Sequence, residues 1–325
     1  MIEVNGLNKE FKVVKRQAGI KSAFKNLFNP HYSIVKALDD LSFQIDQGEI
    51  VGYIGPNGAG KSTTIKVMSG ILVPDSGTCK ILGRTPWKNR IEHVKDIGVV
   101  FGQRSQLWWD VPVIDSYNLL KEIYKIPEVE YRDTLNHLTH ILDIKDLLNT
   151  PVRQLSLGQR MRCEIVGSLL HSPKILFLDE PTIGLDAVSK IAVRNFIKKI
   201  NKEKQVTVIL TTHDMSDIEA LADRIILIGK GKILLDGTLE QLRSRFGTYK
   251  TLTVDYKHAT FDLGLEGTTI TSKSGERMTL TVDTKQIRVS NVISELSKKC
   301  DIIDLTVDNR PVEDIIVDLY KEYQI

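Results

Sequence analysis

Residues 55–62 read GPNGAGKS, which satisfies the pattern G-x-x-x-x-G-K-[ST] without adjustment. The run sits between an apolar stretch, EIVGYIG (49–55), and a stretch with helical spacing, KSTTIKVMSGI (61–71). A strand that passes through a glycine turn into a helix leaves few folds open. Gly55, Gly58 and Gly60 let the backbone aim its N–H groups inward, Asn57 lies in the same cradle, and the helix adds the positive end of its dipole. Such a turn suits a polyphosphate. Lys61 can reach the β- and γ-phosphates, Ser62 can hold Mg²⁺, and Thr63 supplies a further hydroxyl. A turn without a ligand would need neither the lysine nor the hydroxyl.

The rest of the first two-thirds is ordered in the same way. DIGVVFG (96–102), KILFL (174–178) and VTVILTT (206–212) read as buried strands. Helical spacing covers 113–148, broken at Pro127, then 158–170, 188–201 and 215–222, and RIILIGKGKILLDG (224–237) reads as a hairpin. After about Glu240 the pattern shifts to alternating strands, TLTVDY (251–256), MTLTVD (278–283) and DIIDLTVD (301–308), with helices near 289–298 and from Pro311. We expect an α/β domain over 1–240 and a small C-terminal α+β domain over 241–325.

Two further motifs carry chemistry. ILFLDEPT (175–182) is an apolar strand ending in two carboxylates. Asp179 would stand at the edge of a phosphate site, able to hold Mg²⁺ through water, and Glu180 could orient and polarise an attacking water. LSLGQRMR (155–162) places the Ser156 hydroxyl and the bare N–H of Gly158 at a helix start, a place that favours anions.

Taken with the glycine turn, these motifs resemble the nucleotide-binding subunit of ABC transporters over roughly residues 1–240. The family's fold would be an α/β P-loop NTPase: a RecA-like core, an antiparallel β-subdomain and a helical subdomain, here about 104–172. LSLGQ resembles the LSxGQ signature, with Leu157 where Gly is commoner. The resemblance implies that Ser156, Gly158 and Gln159 bind the γ-phosphate of ATP held by an opposing subunit. FGQRSQLWWDVPV (101–113) resembles the Q-loop, with Gln103 as the contact to Mg²⁺ and water and Leu107 at the usual spacing. GLD (184–186) resembles the D-loop, giving Asp186 a role across the dimer, and TTHDM (211–215) the switch, with His213 on the γ-phosphate. The family's adenine-stacking aromatic points to Phe11, although Tyr32 lies at the more typical distance from the turn. Trp108 and Trp109 are adjacent, so they cannot share one side of an element; the family would have this region line the groove for the membrane subunit.

Net charge is +3, too little for wholesale nucleic-acid binding, and no nucleic-acid partner is expected. Residues 9–36 nonetheless hold seven lysines and arginines against Glu10 alone. That stretch reads as a solvated basic loop or as a surface for lipid headgroups or a partner's acidic loops, with KSAFKNLF (21–28) as a short amphipathic turn. No apolar run approaches the roughly 20 residues that span a bilayer. The start, MIEVNGLNKEF, lacks the order of a signal peptide, and Cys79, Cys163 and Cys300 form no CxxC pair, as in a reducing compartment. The expected role is therefore an ATPase (ATP with Mg²⁺) working as a homodimer or paired ATPase on separate membrane permease subunits, peripheral at the cytoplasmic face. The wording PTIGLDAVSK (181–190) and the ending RPVEDIIVDLY (310–320) resemble the ATPases of ABC-2-type exporters. An importer ATPase is the alternative, and a soluble non-transport ABC ATPase a more distant one.

Overall fold

The computed structural model describes residues 1–14, 32–102, 105–246, 249–258 and 266–323. The chain divides into two units, Met1–Asp236 and Gly237–Ile325.

The first unit is built on two sheets. Strands β1 (Ile2–Val14), β2 (Tyr32–Ile45) and β4 (Ser76–Ile81) form an antiparallel sheet in the order β2-β1-β4. Strands β3 (Ile50–Ile54), β5 (Ile97–Phe101), β6 (Ile175–Asp179), β7 (Thr207–Thr211), β8 (Arg224–Gly229) and β9 (Lys232–Thr238) form the second, in the order β5-β6-β7-β3-β8-β9. Pairing is parallel from β5 through β6, β7 and β3 to β8. The central strands are unbroken runs such as TVILT, buried at every residue, because a parallel sheet is covered on both faces. β8 turns into β9 through Lys230 and Gly231, both at positive φ (49° and 80°), the combination that suits a two-residue hairpin.

Helix α1 (Lys61–Met68) leaves the glycine turn and α2 (Arg90–Lys95) precedes β5. α3 (Val113–Tyr124) and α4 (Glu128–Ile141) split where Lys125 turns left-handed (φ 53°) and Pro127 starts the next helix. α5 (Leu157–Leu169) packs beneath α3, with the Tyr117 hydroxyl donating to the Cys163 carbonyl at 2.8 Å. α6 (Ala187–Lys204) follows β6 and α7 (Met215–Leu221) follows β7.

The antiparallel sheet escaped the strand reading of the sequence. β1 carries register shifts after Val4, Leu7 and Lys9, so its apolar residues do not alternate with period two. One expectation is corrected outright. Residues 9–14 and 32–36 are not a basic loop but the paired ends of β1 and β2; the expected amphipathic turn at 21–28 lies outside the described residues.

The second unit holds a four-stranded antiparallel sheet, β10 (Tyr249–Lys257), β11 (Thr268–Ser274), β12 (Arg277–Asp283) and β13 (Asp301–Asn309), ordered β11-β12-β10-β13. Its helices are α8 (Leu239–Phe246), α9 (Val289–Lys299) and α10 (Val312–Glu322). Leu252, Val254 and Tyr256 of β10 and Met278, Leu280 and Val282 of β12 alternate onto one face and pack with Val292 and Leu296 of α9. This unit has its own core, so Leu280→Ala should lower its stability by about 2–5 kcal/mol, measured as a fall in the thermal unfolding midpoint of the full chain's C-terminal transition.

Candidate functional site

The glycine turn closes over its own lysine. Gly58 and Gly60 have φ of 81° and 111°, and a Cβ on Gly60 would stand 2.4 Å from the Ala37 carbonyl oxygen, so only glycine fits. Around Gly58 there is open space to 4 Å, leaving the backbone approachable from outside. Lys61 Nζ folds back to donate to the carbonyls of Gly55 (2.5 Å) and Pro56 (3.1 Å). Burial pulls its pKa below the ordinary lysine value, opposed by the nearby charges of Glu180 and Asp179. Asn57 and Ser62 are exposed and Thr63 half-buried, while Thr64 is locked inside by Tyr53 (3.0 Å) and the Gly60 carbonyl (3.0 Å).

β6 delivers the two carboxylates beside this turn. Ser62 Oγ donates to Asp179 at 3.2 Å, across 117 residues of sequence. Asp179 also accepts from Thr211 Oγ1 at 2.5 Å. Glu180 follows in a left-handed conformation, φ 55°, fixed by its N–H donating to the Thr211 carbonyl at 2.9 Å and hydroxyl at 3.2 Å. Its Oε1 lies 2.9 Å from His213 Nε2. Glu180 divides two clefts. One of about 310 Å³ is lined by Ser62, Lys66, Phe101 and Asp179; the other, about 280 Å³, by Thr182, Lys190, Thr212, His213 and Asp214.

The donors suit a triphosphate and a hard cation. No cluster of three or more His, Cys, Asp or Glu residues stands ready for a metal among the described residues. Ser62 and Asp179 offer one hydroxyl and one carboxylate, a set that leaves most positions of a Mg²⁺ shell to phosphate oxygens and water.

The remaining expected residues lie elsewhere. Ser156 caps α5 by a reciprocal pair: its Oγ accepts from Gln159 N–H at 3.2 Å while Gln159 Oε1 accepts from Ser156 N–H at 2.9 Å. Gly158 abuts the start of α6, where a Cβ would lie 2.5 Å from Ser189 Oγ. Asp186 caps α6 through Ser189 N–H (2.9 Å) and Oγ (2.8 Å). No hydrogen bond or ion pair among the described residues joins Ser156, Gly158, Gln159 or Asp186 to Lys61, Ser62, Asp179, Glu180 or His213. Gln103 lies outside the described residues.

Phe11 and Tyr32 fall on opposite faces of the β1/β2 ribbon, because Phe11 pairs with Val35 and Tyr32 with Val14 in unbroken register. Trp108 and Trp109 are 57% and 50% exposed, Arg160 lies 5.7 Å over the Trp109 ring, and Leu107 is buried. Two groups escaped the sequence reading. Thr211, within TTHDM, has no role that the motif assigns, yet it bonds the Asp179 carboxylate and the Glu180 backbone N–H. Glu164, a lone acid within α5, is buried and accepts from Ser105 Oγ and from Gln106 N–H at 3.0 Å; burial raises its pKa against those bonds. Nothing in the spacing of a single sequence marks it.

A family model described as ABC transporter matches residues 38–183. The chain is 34% identical over 197 residues to an uncharacterised ABC transporter ATP-binding protein, YhcH of Bacillus subtilis (strain 168), covering 61% of this chain but only 63% of that one. It is 33% identical over 223 residues to the bacitracin transport ATP-binding protein BcrA of Bacillus licheniformis, covering 67% of this chain and 70% of that one. Among solved structures it is similar to a dimeric ATP-binding cassette, MJ0796, in a post-hydrolysis state bound to ADP and Pi (TM-score 0.61, 25% identity, 74% of this chain and 99% of that one). The reciprocal cap on α5 has its own signature: Ser156→Ala should cost about 0.5–2 kcal/mol in urea denaturation, and Ser156→Asn much less.

Proposed function

The chain belongs to the ATP-binding proteins of ABC transporters, and on that footing we propose that it hydrolyses ATP to drive transport through separate membrane permease subunits. The observation that carries this reading is the convergence of Lys61, Ser62, Asp179, Glu180 and His213 at one end of the parallel sheet. Lys61 and the backbone of 55–60 would hold the β- and γ-phosphates. Ser62 and Asp179 would hold Mg²⁺, with Gln103 as a further contact; the ion would neutralise charge on the phosphate oxygens. Glu180 would orient a water in line with the γ-phosphorus and take its proton as the new P–O bond forms and the bond to the β-bridging oxygen breaks. His213, 2.9 Å from Glu180, would hold that carboxylate and meet the γ-phosphate.

Ser156, Gly158, Gln159 and Asp186 would act on a different nucleotide. None of them is bonded to Lys61 in one copy, and a complete site would form with a second copy or a close relative, as a two-fold pair that sandwiches two ATP molecules. Phe11, which shares its side of β1 with Lys9 (its Nζ 5.7 Å from the ring), is the better candidate for stacking on adenine than Tyr32 on the other side. No helix among the described residues is long and apolar enough to cross a membrane; as an ABC transporter ATP-binding protein the chain would sit peripherally, at the cytoplasmic face. Exposed Trp108 and Trp109 would meet the permease, and residues 9–36 the membrane surface. Export of the ABC-2 type is favoured by the wording of 181–190 and 310–320 and by similarity to a protein named for bacitracin transport.

Glu180→Gln should retain ATP binding, lose turnover and trap a dimer in ATP–Mg²⁺, read by size exclusion; a monomer there would count against the sandwich. Lys61→Ala should lose nucleotide binding. Phe11→Ala should raise the KM for ATP by an amount equivalent to about 1–3 kcal/mol of stacking with little change in kcat, and Tyr32→Ala should leave KM as it is.

A further inference from the structure

Asp217 is 0% exposed, lies in α7, and touches none of the groups assigned above to substrate or metal. Its two oxygens are nonetheless fully engaged. Oδ1 faces the guanidinium of Arg194 from α6, with Nε at 2.6 Å. Oδ2 accepts two hydroxyls at once: Thr182 Oγ1 in a short bond and Thr212 Oγ1 at 3.0 Å. Thr182 is two residues beyond Glu180, and Thr212 is the residue before His213. Thr212 Oγ1 in turn accepts from Asp214 N–H at 3.0 Å, so its proton is committed to Asp217.

One buried oxygen therefore ties the loop after β6 to the loop after β7. These two loops carry the Glu180–His213 pair. A buried carboxylate with every lone-pair direction occupied cannot yield to one loop without displacing the other. We propose that Asp217 is a positioning residue for hydrolysis, its Oδ2 fixing the spacing between Glu180 and His213 through Thr182 and Thr212. This rests on the hydrolytic reading of that pair. Arg194 occupies Oδ1 through both Nε and Nη2, leaving Oδ2 to the two threonines.

The chemistry of substitution is specific. In Asp217→Asn the amide oxygen must face Arg194, since an NH2 there would oppose the guanidinium. The NH2 group then replaces Oδ2, and the hydroxyl protons of Thr182 and Thr212 lose the acceptor they share. Thr182→Val and Thr212→Val each delete one hydroxyl at nearly constant shape, and Thr182→Ser restores one.

The test uses the full chain, measuring kcat and KM for ATP–Mg²⁺, direct ATP affinity and the thermal midpoint, with Glu180→Gln as the inactive reference. Thr182→Val, Thr212→Val and Asp217→Asn should each lower kcat at least tenfold with ATP affinity within about threefold of the unsubstituted chain. The double Thr182→Val/Thr212→Val should fall little below the single variants, because both act on one oxygen, and Thr182→Ser should regain most of the rate. Folded valine variants turning over at full rate while Glu180→Gln is inactive would overturn the positioning role alone. So would a loss of ATP affinity in step with kcat, which marks general disruption. Full turnover in Glu180→Gln would overturn the hydrolytic assignment and the positioning role with it.

Discussion

The site depends on the parallel pairing of β6 with β7, in which Asp179 stands opposite Thr211. That register brings one threonine against both acidic residues: its hydroxyl donates to the Asp179 carboxylate, and its carbonyl and hydroxyl accept from the Glu180 backbone N–H. Because side chains alternate along a strand, a slip of one residue would send Asp179 to the other face and carry Glu180 away from His213. Both strands are buried runs, ILFLD and TVILT, so this pairing lies inside the core of the sheet. The hydrophobic core of the sheet and the polar geometry at its end are in this sense one feature.

The same logic explains what was readable beforehand. GPNGAGKS between an apolar run and a helical one names a strand, a turn and a helix, because glycine at φ 81° and 111° has no substitute. The parallel strands were legible as continuous apolar runs, and α3 and α4 as helices split at Pro127. β1 was not, since its bulges scramble the alternation on which strand reading relies. At the site, the motifs named Lys61, Ser62, Asp179 and Glu180 one by one. Their meeting across 117 residues comes from sheet order, which no local pattern encodes. Thr211, Thr182 and Asp217 are common residue types whose importance comes only from which atoms they face.

The basic stretch also changes meaning. Lys9 is paired with Asp75 at 2.7 Å and Lys36 lies 3.6 Å from Asp39, so part of the charge concentrated in 9–36 is spent within the sheet. Such pairs, exposed to water on at least one side, contribute little to stability. Around them Val13, Ile34 and Val35 stand exposed on a ribbon whose inner end is buried core.

Glu180 occupies a backbone conformation that an ordinary side chain adopts only at a cost of about 1–3 kcal/mol. Glycine or asparagine would rest there more comfortably. Glu180→Gly would thus relax the turn while removing the carboxylate that stands 2.9 Å from His213 Nε2. Backbone ease and side-chain chemistry therefore pull apart at the end of β6, and a substitution that hardened this turn would give up the contact between Glu180 and His213.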